Sequence, residues 1–285
     1  MNTSGEPPPN GGDADKLAEL RNAIRGIETA ESTSGETRHS AQGDNGTTGG
    51  AHARGTYEPI TYPGMPEGQD WMQRLPARYK HGERGFDRRI MEELAAVGVP
   101  CYTLGDLSNR VPTIPQGIPI FIDWLTHLED RIPGAETPHR EAIRAGLIRN
   151  LKDPAARGNP AAINALVVQM RRQPPLRSGL IGYATEALAH IATKLDFPTI
   201  IELIEELLPL GAVVGPLIEY LGKVKTDEAR ELALRFLDTP STYFALRALI
   251  QMKAPGVRAR VEPYLTHDNA SIRKEARRAM ARLPE

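Results

Sequence analysis

The chain has 285 residues and a single cysteine, Cys101, which excludes an intrachain disulfide and makes a reducing compartment the natural setting. No uninterrupted apolar run approaches the roughly 18–20 residues of a membrane-spanning helix. The N-terminus, MNTSGEPPPNGG, has neither a basic start nor an apolar core, so it does not read as a secretory signal. A soluble, cytoplasmic protein is expected. Strong charge of one sign is missing too. The formal net charge is -1, with 25% charged and 40% hydrophobic residues, and this balance implies neither a polyanion nor a membrane as partner.

The usual signatures of catalysis are equally scarce. Cys101 has no base or orienting group beside it in sequence, so it reads as structural. No spacing of His, Asp and Cys suggests a zinc site. GDNGTTGG follows no strand and lacks the lysine of a phosphate-binding loop, and no serine sits in a strained strand-to-helix elbow. Glu202, Glu205 and Glu206 in IIELIEELL read as an exposed stripe opposite Ile201, Ile204 and Leu208 rather than as an acid/base pair, which needs a pocket and unequal environments. His190 pairs with Glu186 at i,i+4 spacing, and His267 lies with Asp268 in a turn; both read as solvent-exposed. No catalytic residue, cofactor or metal is assigned.

Composition divides the chain in three. Residues 1–56 contain no Val, Phe, Tyr or Trp and bury too little to offset ordering entropy, so a disordered tail is expected. Within it Leu17, Leu20, Ile24 and Ile27 fall three, four and three apart, one narrow apolar stripe on a short helix near 13–28. Two readings stay open for that helix: a docking or dimerising element, or a transient one without a role, since so short a helix is marginal in water. Residues 57–113 hold an irregular arm punctuated by Tyr57, Pro59, Tyr62, Pro63, Pro66, Trp71 and Pro76, whose aromatic groups are expected on the folded body. A capping helix follows in FDRRIMEELAAVGVP, with Ile90, Leu94 and Val97 on one face, stopped by Gly98 and Pro100.

Residues 114–285 divide into five helix pairs. First helices are expected near 116–130, 159–171, 198–208, 227–238 and 256–265, and second helices near 138–151, 177–194, 212–223, 240–252 and 269–283. The second helices share a motif: AIRAGL (142–147), ATEAL (184–188), ALRAL (245–249) and ARRAM (276–280), with LIEYL (217–221) as the divergent member. Ala245, Ala248 and Leu249 recur as Ala276, Ala279 and Met280, 31 positions on, a self-similarity typical of helical repeats. Small residues let helices approach closely, and each pair leaves an apolar face that the next must cover. Pro115, Pro160, Pro198 and Pro240 near helix starts suit a residue with no N–H.

DNASIRKEARRAMARL, with Asp268 in its turn followed by Ile272, Arg273, Ala276, Ala279 and Leu283, resembles a HEAT repeat. The likeness is to the short HEAT-like units of phycobilisome-lyase type in bacteria, and it covers roughly residues 114–285. It implies an all-α fold: a right-handed α-α superhelical solenoid of about five HEAT-like helix pairs with a disordered N-terminal extension. Such repeats are implied to be scaffolds and binding surfaces, with no established activity. The paired His-Glu dipeptides of HEAT-like hydroxylases are missing, since none of the seven His is followed by Glu.

Charge is banded along this region. Residues 139–178 carry eight Arg or Lys against two acids, residues 196–238 nine acids against four bases, and residues 256–285 seven bases against four acids. Such bands either steer a charged partner or are the solvated faces of amphipathic helices. A HEAT-like DNA glycosylase would set a Trp and an Asp beside a basic concave face. Trp124 instead falls on the buried side of its helix with Phe121, Leu125 and Leu128, which makes it core. The expected function is therefore non-enzymatic binding of a protein partner, as a scaffold or adaptor, through a concave face of second helices, with no membrane; the alternatives are a nucleic-acid-binding, DNA glycosylase-like protein, which is less favoured, and a HEAT-like lyase accessory protein. Arg144, Arg149, Tyr183, Tyr220, Tyr243, Arg247, Arg273 and Arg277 are the candidate contacts, because Arg and Tyr commonly dominate interfaces.

Overall fold

A computed structural model describes residues 60–68, 70–79 and 85–285. The helix expected near 13–28, and Tyr57, lie outside the described residues. The described residues belong to one compact unit, and among them every regular element is helical. Two helices, α1 (Arg88–Ala96) and α2 (Leu104–Arg110), precede α3 (Ile118–Thr126) and the single turn α4 (Leu128–Arg131). There follow α5 (Pro138–Asn150), α6 (Pro160–Arg171), α7 (Ser178–Ile191), α8 (Phe197–Leu207) and α9 (Gly215–Val224). The chain ends with α10 (Asp227–Arg235), α11 (Thr242–Met252), α12 (Arg258–Val261) with a 3-10 turn at Glu262–Thr266, and α13 (Ala270–Arg282).

Local chemistry accounts for most starts. Side-chain oxygens of Asp87, Thr103, Thr137, Asn159, Thr226 and Asn269 accept backbone N–H bonds at the heads of α1, α2, α5, α6, α10 and α13, satisfying donors that a helix cannot pair internally. Proline occupies the first turn of α5, α6, α8 and α9, where its missing N–H is harmless. Pro240 does not do this, because it precedes the Ser241 cap and lies outside α11.

α1 ends one residue earlier than its apolar spacing suggests. Gly98, at φ 82°, turns the chain so that Gly98 N–H donates to Ala95 O at 3.0 Å and Val99 N–H to Leu94 O at 2.9 Å, a Schellman closure. Val99 thereby enters the core and Val97, expected there, is left 38% exposed. The region expected to hold one capping helix holds two, because Thr103 caps the further seven-residue helix α2.

Packing follows one rule. α6 lies on α7, α8 on α9, α10 on α11, and α12 with its 3-10 turn on α13. The second members also touch in succession: α2 on α5, α5 on α7, α7 on α9, α9 on α11 and α11 on α13. Close approach is built into them. A Cβ on Gly146 of α5 would lie 2.4 Å from Leu104 Cβ of α2, and one on Gly222 of α9 would lie 2.8 Å from the Ala248 carbonyl of α11. Ala245, Ala248, Ala276 and Ala279 are fully buried at such seams.

The arm covers the start of this row. Tyr62 is buried and its OH donates to Pro100 O at 2.9 Å, Trp71 meets Tyr102 edge-on at 5.6 Å, and Tyr79 stacks on Tyr102 at 5.2 Å. Aromatic area is the largest hydrophobic contribution a short irregular segment can bring.

Candidate functional site

The burial pattern of the second helices defines which residues share a face. In α11 the buried positions are Thr242, Ala245, Leu246, Ala248, Leu249 and Ile250. In α5 they include Arg140, Ile143, Arg144, Gly146, Leu147 and Ile148. The two sets coincide when Ile143 is matched with Ala245, one residue away from the match suggested by AIRAGL and ALRAL. One residue on a helix is about 100° of rotation, and that rotation moves Arg144 from the outer face to the inner position of Leu246.

Arg144 is accordingly not a surface contact. Its side chain is 0% exposed. Nη2 donates to Glu129 Oε1 at 2.8 Å and Glu136 Oε2 at 3.0 Å, Nη1 to Gln169 Oε1 at 2.6 Å, and Nε to Glu136 Oε1 at 3.2 Å. Arg140 and Arg172 join the same two carboxylates. Burial alone would raise Glu129 and Glu136, but the hydrogen bonds and charge of Arg144 outweigh it and hold both below the ordinary carboxylate range. A buried arginine needs such partners to remain charged at bearable cost.

Tyr220 is the second correction. LIEYL places it at the position filled by Ala248 in α11, so it is 1% exposed and its OH donates to Thr193 O. Burial, with the charge of Asp196, pushes its phenol above the ordinary value.

The remaining candidates are accessible to different degrees. Arg149 donates to Asn109 Oδ1 at 2.6 Å and lies 5.4 Å above the ring of Tyr183, itself 43% exposed. Tyr243 accepts from Arg247 Nη1 at 3.2 Å, and Arg247 Nη2 binds Glu219 at 2.7 Å. Arg273 closes the turn before α13, with Nη1 on the carbonyls of His267 and Asp268 at 2.6 and 2.8 Å. Arg277 is exposed, although it corresponds to Leu246, which is buried in α11.

In the other four second helices the burial pattern agrees with the ATEAL, LIEYL, ALRAL and ARRAM match, which assigns the outward row. Glu186, Glu219, Arg247 and Arg278 stand at equivalent positions of α7, α9, α11 and α13, with His190, Lys223, Gln251 and Arg282 one turn further on. The ALRAL–ARRAM match already pairs Arg278 with Arg247, and Arg282 follows one turn on, but the contacts expected on α13 are Arg273 and Arg277. Bonds run from helix to helix along this row: Lys152 to Glu186, Lys223 Nζ to Ala189 O at 2.5 Å and His190 O at 2.9 Å, and Arg247 to Glu219. His190 is held below its ordinary value by partial burial and by Lys223 and Lys152. His190 is exposed, as expected, and Lys223 bonds to its backbone carbonyl, while His267 is half-buried against Tyr264.

Most charge of the first two bands is neutralised internally. Arg171 takes Glu202 and Glu206 at 2.8 and 2.7 Å, which joins the basic band to the acidic one. Trp124 is fully buried, its Nε1–H donating to Glu93 Oε2 at 2.9 Å beneath Arg131, while Asp123 binds Arg131 and His127. Trp124 is thus internal, and the partly exposed Asp123 beside it is taken up by Arg131 and His127. Cys101 is buried, its thiol pushed up by burial and directed to Met91 Sδ at 3.3 Å. Among the described residues no group of three or more His, Cys, Asp or Glu could hold a metal ion, and no helix is long and apolar enough to cross a membrane.

Comparison with protein-family models, with curated proteins and with solved structures found no significant match.

Proposed function

We propose that the chain is a HEAT-like repeat protein, a right-handed solenoid, acting as a non-enzymatic scaffold that binds another protein along the row of second helices α5, α7, α9, α11 and α13. The observation that supports it is the row itself. Consecutive second helices pack on one another, their small and apolar positions are buried, and one polar stripe per helix remains outward, with bonds linking the stripes of α7, α9 and α11. A surface of this kind is long, held in place by its own rungs, and varied in side chain from helix to helix, which suits an extended protein partner better than a small substrate. The arm and α1–α2 close one end of the row, consistent with a capping role.

The test is a native complex. Full-length protein is affinity-purified from native lysate after nuclease treatment, beside a variant carrying Arg149→Glu and Tyr183→Ala and one carrying Arg247→Glu. A stoichiometric protein partner whose recovery falls with these substitutions supports the reading. Recovery of nucleic acid alone, or a partner indifferent to every substitution on the row, overturns it.

A further inference from the structure

Between α9, α11 and α13 the row opens into a cleft of about 690 Å³. That volume lies in the range of roughly 300–1,000 Å³ typical of ligand sites. Arg247, Lys253, Arg278 and Arg282 line it against one carboxylate, Glu219, with Gln251 contributing an amide and Ile250 an apolar wall. Glu219 is already bound to Arg247 at 2.7 Å.

Positive charge is left over in this cleft. The basic residues of 139–178 are largely matched by Glu129, Glu136, Glu141, Glu186, Glu202 and Glu206. At the end of the row, by contrast, Lys253 and Arg282 make no ion pair among the described residues. Arg278 has only a 3.4 Å contact with Glu275, three residues away on its own helix. Arg247 Nε is shielded from solvent and has no hydrogen-bond partner.

We infer that this cleft is a recognition site for an acidic peptide segment of a partner protein, whose carboxylates are taken by Arg278, Arg282 and Lys253. The inference rests on the scaffold reading and names the chemistry of the partner at one place on it. Guanidinium groups hold carboxylates through two parallel N–H bonds, and clustered arginines are a recurrent means of reading acidic motifs. A nucleic-acid strand fits less well. It requires a cationic track with aromatic stacking platforms, whereas no aromatic ring lines the cleft and the row continues toward α7 through Glu219 and Glu186.

The test uses full-length protein and fluorescence anisotropy with a labelled peptide of six consecutive glutamates flanked by Gly-Ser. A lysine peptide of equal length, a thymidine oligonucleotide of equal charge and inorganic phosphate serve as alternatives. The glutamate peptide is expected to bind, and Arg278→Gln with Arg282→Gln should weaken it at least tenfold while leaving the circular dichroism unchanged. Arg149→Glu with Tyr183→Ala, at the far end of the row, should alter it less than twofold. Tighter binding of the oligonucleotide, equal competition by phosphate alone, no binding of the glutamate peptide at millimolar concentration, or indifference to the double glutamine variant overturns the inference. The native complex separates the two claims. If it survives the glutamine pair but is lost with the far-end pair, the cleft reading fails and the scaffold stands; if it survives both, the scaffold face itself fails.

Discussion

Replacing Arg144 by alanine isolates the contribution of the ion cluster at the start of the row. The side chain is wholly buried and its guanidinium donates to two carboxylates and to the amide oxygen of Gln169. Truncation removes these charge-assisted bonds, leaves Gln169 Oε1 without that donor in a buried setting, and opens a side-chain-sized void. Removing one partner of a buried pair costs about 3–5 kcal/mol. Glu129 and Glu136 keep Arg172 and Arg140 and are 43% and 30% exposed, so part of their charge regains water and the lower end, about 3 kcal/mol, is expected. For a folded unit of this size that lowers Tm by about 6–12 °C.

Arg171 is the internal control. It also binds two carboxylates, but at 40% exposure, so Arg171→Ala should cost less than about 1 kcal/mol. Arg144→Met should recover part of the loss, since an apolar side chain suits the position that Leu246 holds in α11. Urea unfolding at pH 7 followed by far-ultraviolet circular dichroism measures all three. Equal midpoints for Arg144→Ala and Arg171→Ala would refute the argument that burial, not the number of partners, sets the cost.

The same cluster sets a pH dependence. Glu129 and Glu136 titrate below the ordinary carboxylate value of 4.5, so their contribution is complete above that pH and disappears as pH falls through the depressed values. Glu136→Gln should flatten the acid limb of a stability–pH curve below pH 4.5 relative to wild type; an unchanged limb argues against the pairing. Gly222→Ala should destabilise by about 1–3 kcal/mol, because its Cβ meets a backbone carbonyl of α11 at 2.8 Å that cannot rotate away. The shift in thermal midpoint would show it, and a neutral result would mean the helices are not this close. Lys225 is exposed and holds a left-handed backbone at φ 61° after α9, so Lys225→Gly should stabilise by up to about 1 kcal/mol. A loss in urea midpoint would contradict that backbone geometry.

The helices themselves were legible from residue order. Apolar spacing, proline in first turns and Thr or Asn caps act within a few residues, so α5, α6, α8, α10, α11 and α13 lie within about three residues of where periodicity puts them. The same local logic placed Phe121, Trp124, Leu125 and Leu128 in the core. It missed α2, whose seven residues carry too few apolar positions to show a period, and it put Val97 inward because spacing alone does not register the turn at Gly98.

What residue order did not decide is the rotation of α5 about its axis. AIRAGL begins as ALRAL does, with Ile for Leu, yet the helices pack one residue out of step because Gly146 must meet Leu104 where Ala248 meets Gly222. That step buries Arg144, and the side chain can be buried only because Glu129, Glu136 and Gln169 arrive from other parts of the chain. Tyr220 likewise fills a small-residue position because Thr193 supplies an acceptor 27 residues away. Periodicity along the chain sets which segments are helical and which stripe is apolar. Which arginines stay in water, and so which charges remain at the end of the row, depends on partners that only the packed structure brings together.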